Sequence, residues 1–109
     1  MSEPFFAREL VAERLSVSPT TLIRYERLGL VRAVRAEHDP AGAEGYGPIE
    51  VRRLGTIVAF HRDLGINLAG IEVILRLRDQ LHATHARLDR LARDLQTLQD
   101  DEPIDADLA

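Results

Sequence analysis

The chain has 109 residues, which is the usual size of one domain with a short extension. All 14 basic residues are arginines, the net charge is −4 at pH 7, and the lack of cysteine excludes disulfides, thiolate metal sites and thiol redox sensing. No apolar run approaches the ~20 residues that span a membrane, and the first residues lack the plan of a signal peptide, so we expect a cytoplasmic protein.

The first predicted helix covers residues 7–15. It places Leu10, Val11 and Leu15 on one face and its charged residues on the other. A second helix is predicted over residues 19–28, and only a tight turn separates the two.

The second helix has both a start signal and a stop signal. Ser18 is a natural N-cap, and Pro19 suits the first helical position because its missing N–H is not needed there. Gly29 suits a left-handed C-terminal cap. Two short helices joined by a tight turn are typical of a helix-turn-helix, whose second helix enters a DNA groove. An ordinary helical hairpin would give the same pattern, so the two helices alone leave both interpretations open.

Residues 31–46 are predicted to form a wing, which is a two-stranded flap around a loop broken by Gly and Pro. Arg32, Arg35 and Tyr46 are the groups in it that could grip phosphate. Three acidic residues share the same flap: Glu37, Asp39 and Glu44. A solvated surface loop is the alternative interpretation.

A third helix is predicted from Pro48, with Gly47 as N-cap, to a stop at Gly65. Its apolar residues recur at helical spacing and are Val51, Leu54, Ile57, Val58, Phe60 and Leu64. Their expected core partners are Phe5, Phe6, Leu10, Leu22, Leu28, Leu30 and Val31. Arg52 and Arg53 could approach phosphate, or they could simply lie on a solvated helix face.

The last predicted helix begins after Asn67, a suitable N-cap, and covers residues 67–99. Its residues at 3-4 spacing are Ile74, Leu77, Leu81, Thr84, Leu88, Leu91, Leu95 and Leu98. A helix of about 30 residues spans ~45 Å, which is more than a small domain needs for its own core. We therefore expect this stripe to form a homodimer interface, with a helix folded back on its own domain as the alternative.

Two further segments carry weaker signals. Residues 100–109 form an acidic tail, for which disorder is expected and a docking motif for a basic protein is the alternative. His82 and His85 lie three apart on the last helix, but solvent-facing histidines are far more common than ligands, and we expect no metal or cofactor. With no nucleophile-base arrangement and no phosphate loop, the sequence predicts no enzyme.

The order of elements from residue 5 to about 80 resembles the MerR family of bacterial transcription regulators. The resemblance rests on Val17-Ser18, on the segment Tyr25-Glu26-Arg27-Leu28-Gly29-Leu30-Val31, on Arg35 and Tyr46, and on Leu64-Gly65-Ile66-Asn67-Leu68 with Ile71 following. The segment from Gly65 to Ile71 is most similar to the heat-shock repressor branch. The chaperone modulators, which are shortened relatives that bind a J-domain co-chaperone, show a similar short length and last helix.

The MerR resemblance implies a mainly α winged helix-turn-helix domain, residues 1–66, followed by a dimerisation helix that pairs as an antiparallel coiled coil. It implies that Thr20 and Thr21 face base edges or phosphates and that Tyr25, Arg35 and Tyr46 touch the DNA backbone. The full set of candidate DNA-binding residues is Ser18, Thr20, Thr21, Arg24, Tyr25, Arg27, Arg35 and Tyr46.

The chain also departs from the family pattern at two places. Ile23 occupies the position in the second helix where the family usually carries Arg, with Arg24 one place later, and Gly45 and Gly47 flank Tyr46 where a second Arg is usual. Fewer phosphate contacts predict weaker binding.

The charge distribution places the acidic excess outside the candidate DNA-binding domain. Residues 1–65 carry nine arginines and nine acidic residues, whereas residues 66–109 carry five arginines and nine acidic residues. We therefore expect a regulator, most similar to repressors of stress or chaperone genes, that binds double-stranded DNA as a homodimer. The alternative is a chaperone modulator that binds a J-domain co-chaperone or another protein without DNA.

Overall fold

The computed structural model describes residues 4–37, 39 and 41–101. Within them the order is β1 (Phe6–Ala7), α1 (Arg8–Leu15), α2 (Pro19–Arg27), β2 (Val34–Arg35), β3 (Glu44–Tyr46), α3 (Pro48–Val58), a π-helical turn (Ala59–Asp63) and α4 (Leu68–Asp101). The chain divides into two compact units between Glu72 and Val73.

Helix α2 has the caps that its sequence predicts. The Ser18 hydroxyl oxygen accepts a hydrogen bond from the Thr21 backbone N–H at 3.2 Å, and Pro19 is the first helical residue. Gly29 is left-handed at φ 76°, and the N–H of Leu30 donates to the Tyr25 carbonyl oxygen at 3.0 Å, which closes the C-terminal end. The boundaries of the second helix are thus confirmed to within a residue.

The turn between α1 and α2 is made by a serine in a left-handed conformation. Ser16 has φ 57° and ψ 43°, and its N–H donates to the Glu13 carbonyl at 3.1 Å. The next N–H, that of Val17, donates to the Ala12 carbonyl at 3.0 Å. The turn therefore satisfies two of the carbonyl groups that the end of α1 leaves free.

Replacing Ser16 with glycine is expected to raise the free energy of unfolding by about 0.5–1 kcal/mol. Left-handed backbone costs a residue with a Cβ roughly 1–2 kcal/mol, and the larger unfolded-state entropy of glycine offsets about half of that gain. Urea unfolding of the full chain measures the difference, with Ser16→Ala as the control that keeps the strain. A Ser16→Gly protein less stable than the parent would contradict this account.

The three strands form one antiparallel sheet in the order β1-β3-β2. Val34 pairs with Gly45 and Arg35 with Glu44, which confirms the hairpin expected of a wing. The sequence did not indicate β1, which pairs with the other edge of β3. Of the predicted loop residues, His38 and Pro40 lie outside the described residues.

The core contains about half of the predicted core residues together with two tyrosines. Its buried apolar residues are Val11, Ala12, Leu22, Tyr25, Leu30, Val31, Tyr46, Leu54, Ile57, Val58 and Ile71. Burial of this apolar surface is the main favourable term in folding the domain.

Four predicted core residues are instead exposed: Phe6 (36%), Leu10 (44%), Leu28 (49%) and Leu64 (66%). Ala12 rather than Leu10 lies beside Val11 on the inward face of α1. Leu64 follows the π-helical turn, whose i→i+5 hydrogen bonding changes the helical phase of the residues after it. Phe6 is on an edge strand, and Leu28 is the C-cap of α2.

The long helix α4 begins as predicted at Asn67, whose side-chain oxygen accepts from the Gly70 N–H at 2.7 Å. It has 34 residues, or ~51 Å, and continues to Asp101, two residues beyond the predicted end. Residues 102–109 of the predicted acidic tail lie outside the described residues. None of the helices in the described part of the chain combines the length and apolarity that a membrane crossing requires.

Candidate functional site

The exposed face of α2 carries three of the predicted binding residues in one row. Thr20, Arg24 and Arg27 stand at i, i+4 and i+7, and all three are exposed. Among the residues that the structure describes, no carboxylate pairs with Arg24 or Arg27. The row therefore presents two uncommitted guanidinium groups and a hydroxyl to solvent.

Two other predicted binding residues, Ser18 and Thr21, are hydrogen-bonded to each other at the start of α2. The Ser18 hydroxyl caps the first turn, and it also lies 3.0 Å from the hydroxyl of Thr21. Ser18 is exposed and Thr21 is half-buried. Their main observed role is to start the helix.

The expectation that Tyr25 touches the DNA backbone is corrected by its burial, since its side chain is in the core at 2% exposure. Its hydroxyl is hydrogen-bonded to His61 Nδ1 at 3.2 Å, and the two rings meet edge to face. Burial raises the pKa of the Tyr25 hydroxyl, although the charges of Arg24 and Arg62 act in the opposite direction. Successive residues of a helix are rotated by ~100° about its axis, so Tyr25 points inward while Arg24, the residue before it, is exposed.

Tyr46 is corrected for the same reason, because it is 0% exposed. Its hydroxyl donates to Glu26 Oε2 at 2.5 Å. Burial, together with the hydrogen bond to Glu26, moves the pKa of Tyr46 well above its ordinary value. Both tyrosines therefore hold the domain together and are not available to phosphate.

Glu26 is the centre of a charged network that links α1, α2 and the wing. Arg8 grips it with two hydrogen bonds, Nε to Oε2 at 2.9 Å and Nη2 to Oε1 at 2.8 Å, and Arg8 Nη2 also reaches Glu44 at 2.7 Å. Burial raises the pKa of Glu26, but the hydrogen bonds from Arg8 and Tyr46 outweigh burial and leave the pKa below its ordinary value. The network fixes the wing relative to α2.

Among its described residues the wing carries two exposed arginines, Arg35 and Arg32. The Arg35 side chain is 76% exposed and lies 3.9 Å from Glu44, a long and weak ion pair. Arg32 is also exposed, and its backbone N–H donates to Glu50 at 3.1 Å. The predicted phosphate contact of Arg35 therefore has an unobstructed side chain to make it.

The two arginines at the start of α3 have different environments. Arg53 Nε donates to the Leu30 carbonyl oxygen at 2.6 Å, so this side chain holds the segment that follows α2. Arg52 is exposed. Of the pair considered in the sequence, Arg52 is thus the one available to a ligand.

Four residues that hold the site were not among the predicted site residues: Arg8, Glu26, His61 and Arg62. Arg8 was expected to face solvent with the other charged residues of α1, but its side chain is only 12% exposed. Its partners lie 18 and 36 residues away along the chain. Helical periodicity carries no signal for a pairing at that distance.

The predicted dimerisation stripe is open over most of α4. Ile74 is half-buried, and the six leucines after it are each more than half exposed: Leu77, Leu81, Leu88, Leu91, Leu95 and Leu98. An apolar stripe of this length is larger than a lone soluble chain normally exposes.

Comparison with known proteins gives two matches. A family model described as MerR HTH family regulatory protein matches residues 6–93. A curated relative described as a heat shock protein, HspR, from Streptomyces coelicolor is 34% identical over 90 residues. That alignment covers 82% of the chain and 57% of the relative, so the chain spans little more than half of that protein's length. No solved structure matches the chain.

Proposed function

Because the chain belongs to the MerR family of helix-turn-helix regulatory proteins, we propose that it is a transcription regulator that binds a two-fold DNA site as a homodimer. The observation that carries the proposal is the row of Thr20, Arg24 and Arg27, which is exposed and has no carboxylate partner among the described residues. A short capped helix with such a face is what helix-turn-helix proteins insert into the major groove.

The proposed division of labour follows from exposure. Thr20, near the start of α2, approaches base edges, and Arg24 and Arg27 bind phosphate or guanine, as the fork of donors on arginine allows. Arg35 adds a phosphate contact from the wing. Residues 1–65 have as many acidic as basic residues, so the affinity of one DNA-binding domain for DNA is modest. Binding therefore depends on the two domains of a dimer acting together.

The homodimer is proposed from the leucine stripe. The leucine stripe of a second copy can pack against the stripe of the first copy. A two-fold pair formed in this way would present two α2 helices to one duplex. An antiparallel coiled coil is the arrangement proposed, as the MerR resemblance implies.

Substituting Leu88, near the middle of the stripe, by glutamate is expected to convert the dimer to a monomer of 12.2 kDa. In a two-fold pair the substitution places a charge from each copy between two apolar helices, and each buried charge costs several kcal/mol. Analytical ultracentrifugation measures the mass. Ala86→Glu, an exposed position off the stripe, is the control and should stay dimeric. A parent chain that sediments with the monomer mass of 12.2 kDa would contradict the dimer proposal.

The similarity to a heat shock protein supports a link to stress or chaperone genes, with repression as the proposed direction and a chaperone or co-chaperone as a further partner. Neither comparison favours the alternative of a chaperone modulator that does not bind DNA. That alternative predicts no binding to any duplex, together with direct binding to a purified J-domain.

Fluorescence anisotropy with two labelled duplexes tests the DNA proposal. One carries the DNA immediately upstream of the gene for this chain, and the other carries the same bases in shuffled order. We expect tighter, salt-sensitive binding to the upstream duplex. Equal and weak binding to both would overturn the regulator proposal in favour of the modulator.

Arg24→Ala is expected to lower affinity for the upstream duplex by more than tenfold. If each protomer loses one phosphate contact, the slope of log K against log salt should fall by about two in a two-fold complex. Arg90→Ala on α4 removes the same charge far along the chain and should leave the slope unchanged. An Arg24→Ala protein with the parental affinity and the parental slope would show that this face is not the one that binds.

A further inference from the structure

The π-helical turn after α3 reaches both helices of the helix-turn-helix with two consecutive side chains. Arg62 Nη1 donates to the Leu15 carbonyl oxygen at 2.7 Å and approaches that of Ser16 at 3.3 Å. These carbonyls lie at the C-terminal end of α1, where a cation interacts favourably with the helix dipole. Arg62 therefore holds the end of α1 and the strained turn that leads into α2.

His61, the residue before it, holds α2 directly. Its Nδ1 is hydrogen-bonded to the Tyr25 hydroxyl at 3.2 Å, and its ring meets the Tyr25 ring edge to face with 6.1 Å between centroids. Tyr25 is buried and is flanked in sequence by Arg24, on the exposed row. A rotation of α2 that moved Arg24 would therefore also have to move Tyr25 away from His61.

We propose that His61 and Arg62 of the π-helical turn are positioning residues that set the orientation of α2 for DNA, a proposal that rests on the DNA-binding function above. Arg62 fixes where α2 starts by holding the turn, and His61 fixes its rotation by holding Tyr25. Neither residue needs to touch DNA. π-Helical turns occur frequently at functional sites, and here the turn places adjacent residues so that they reach two different helices.

The first test measures amide hydrogen exchange in the full chain without DNA. In Arg62→Ala we expect the amides of Ser16, Val17 and Thr21 to exchange about fivefold faster, which corresponds to one lost hydrogen bond. Arg52→Ala, an exposed arginine on α3, is the matched control and should leave them unchanged. Arg62→Lys keeps the positive charge and a donor group, and it should restore part of the protection. Parental exchange in Arg62→Ala would overturn the role of this side chain.

The second test measures affinity and salt dependence on the upstream duplex. Arg62→Ala should bind about fivefold more weakly per protomer with the parental salt slope, because no phosphate contact is lost. A slope that falls by about two, as expected for Arg24→Ala, would show that Arg62 binds phosphate directly and would overturn the proposal. Unchanged affinity and unchanged slope would overturn it as well.

Tyr25→Phe removes only the hydroxyl that His61 holds, so the ring still fills the core. We expect weaker DNA binding with the parental slope and an unchanged far-UV spectrum, and parental affinity would remove His61 from the proposal. If the parent chain fails to bind the upstream duplex, the proposed function fails. The exchange measurement still decides whether the π-helical turn holds the helix-turn-helix.

Discussion

Replacing Glu26 with alanine is expected to lower the free energy of unfolding by about 2–3 kcal/mol, because it breaks a partly buried, charge-assisted pair and its hydrogen bonds. The side chains of Glu26 and Arg8 are only 15% and 12% exposed. Without the carboxylate, Arg8 keeps the half-exposed Glu44 as its acidic partner among the described residues, and the buried Tyr46 loses Glu26 as its acceptor. Thermal or urea unfolding of the full chain measures the loss.

Glu44→Ala is the matched control for this prediction, since it removes a carboxylate from the same arginine. Its side chain is 42% exposed, so the expected loss is below about 1 kcal/mol. Equal losses in the two variants would show that Glu26 is not the centre of the network.

The same carboxylate gives a pH dependence whose sign follows from its pKa. The folded-state pKa of Glu26 lies below the ordinary value of 4.5, so the unfolded chain binds its proton first as the pH falls. The stability that the ionised Glu26 contributes is fully present above pH 4.5 and is lost as the pH falls through its folded-state pKa. Glu26→Gln should therefore flatten the stability profile below pH 4.5 relative to the parent. A difference between parent and variant that is constant with pH would contradict the assignment.

The local features of the fold were predictable because short-range chemistry determines them. The caps at Ser18, Gly29 and Asn67 depend on neighbours within four residues, and all three are where the sequence places them. The exposed row on α2 follows from helical phase alone. The hairpin of the wing was likewise predictable from turn residues between two extended segments.

The parts that could not be predicted depend on pairings distant in the chain. Nothing in residues 4–10 indicates that β1 lies against β3, and this pairing decides which side of β3 is buried. Alternation along the strand then places Tyr46 inside, although an aromatic residue in a wing suggests a DNA contact. The π-helical turn is a further case, since it moved Leu64 out of the core without any mark in the apolar pattern.

The glycines beside Tyr46, which depart from the family pattern, have two different explanations. At Gly45 the strand β1 crosses so closely that a Cβ would overlap the Phe6 carbonyl oxygen and lie 2.9 Å from Ala7 Cα. An arginine has no space there in this sheet. At Gly47 nothing lies within 4 Å of a Cβ, and its φ of −76° suits any residue. Only Gly45 is therefore required by the packing of the sheet.

Gly45→Ala is accordingly expected to destabilise the chain by about 3 kcal/mol, the upper end for overpacking, because two of the three atoms in the way belong to backbone and cannot rotate aside. Relieving the overlap requires β1 to separate from β3, which also pulls on the start of α1, where Arg8 holds Glu26. Gly47→Ala adds the same methyl group two residues later, where nothing lies within 4 Å. Because glycine is preferred over alanine at the N-cap of α3, we expect a loss below about 1 kcal/mol. Urea unfolding of the two variants separates the cases. Equal stability of the two proteins would mean that β1 does not lie against β3 in solution.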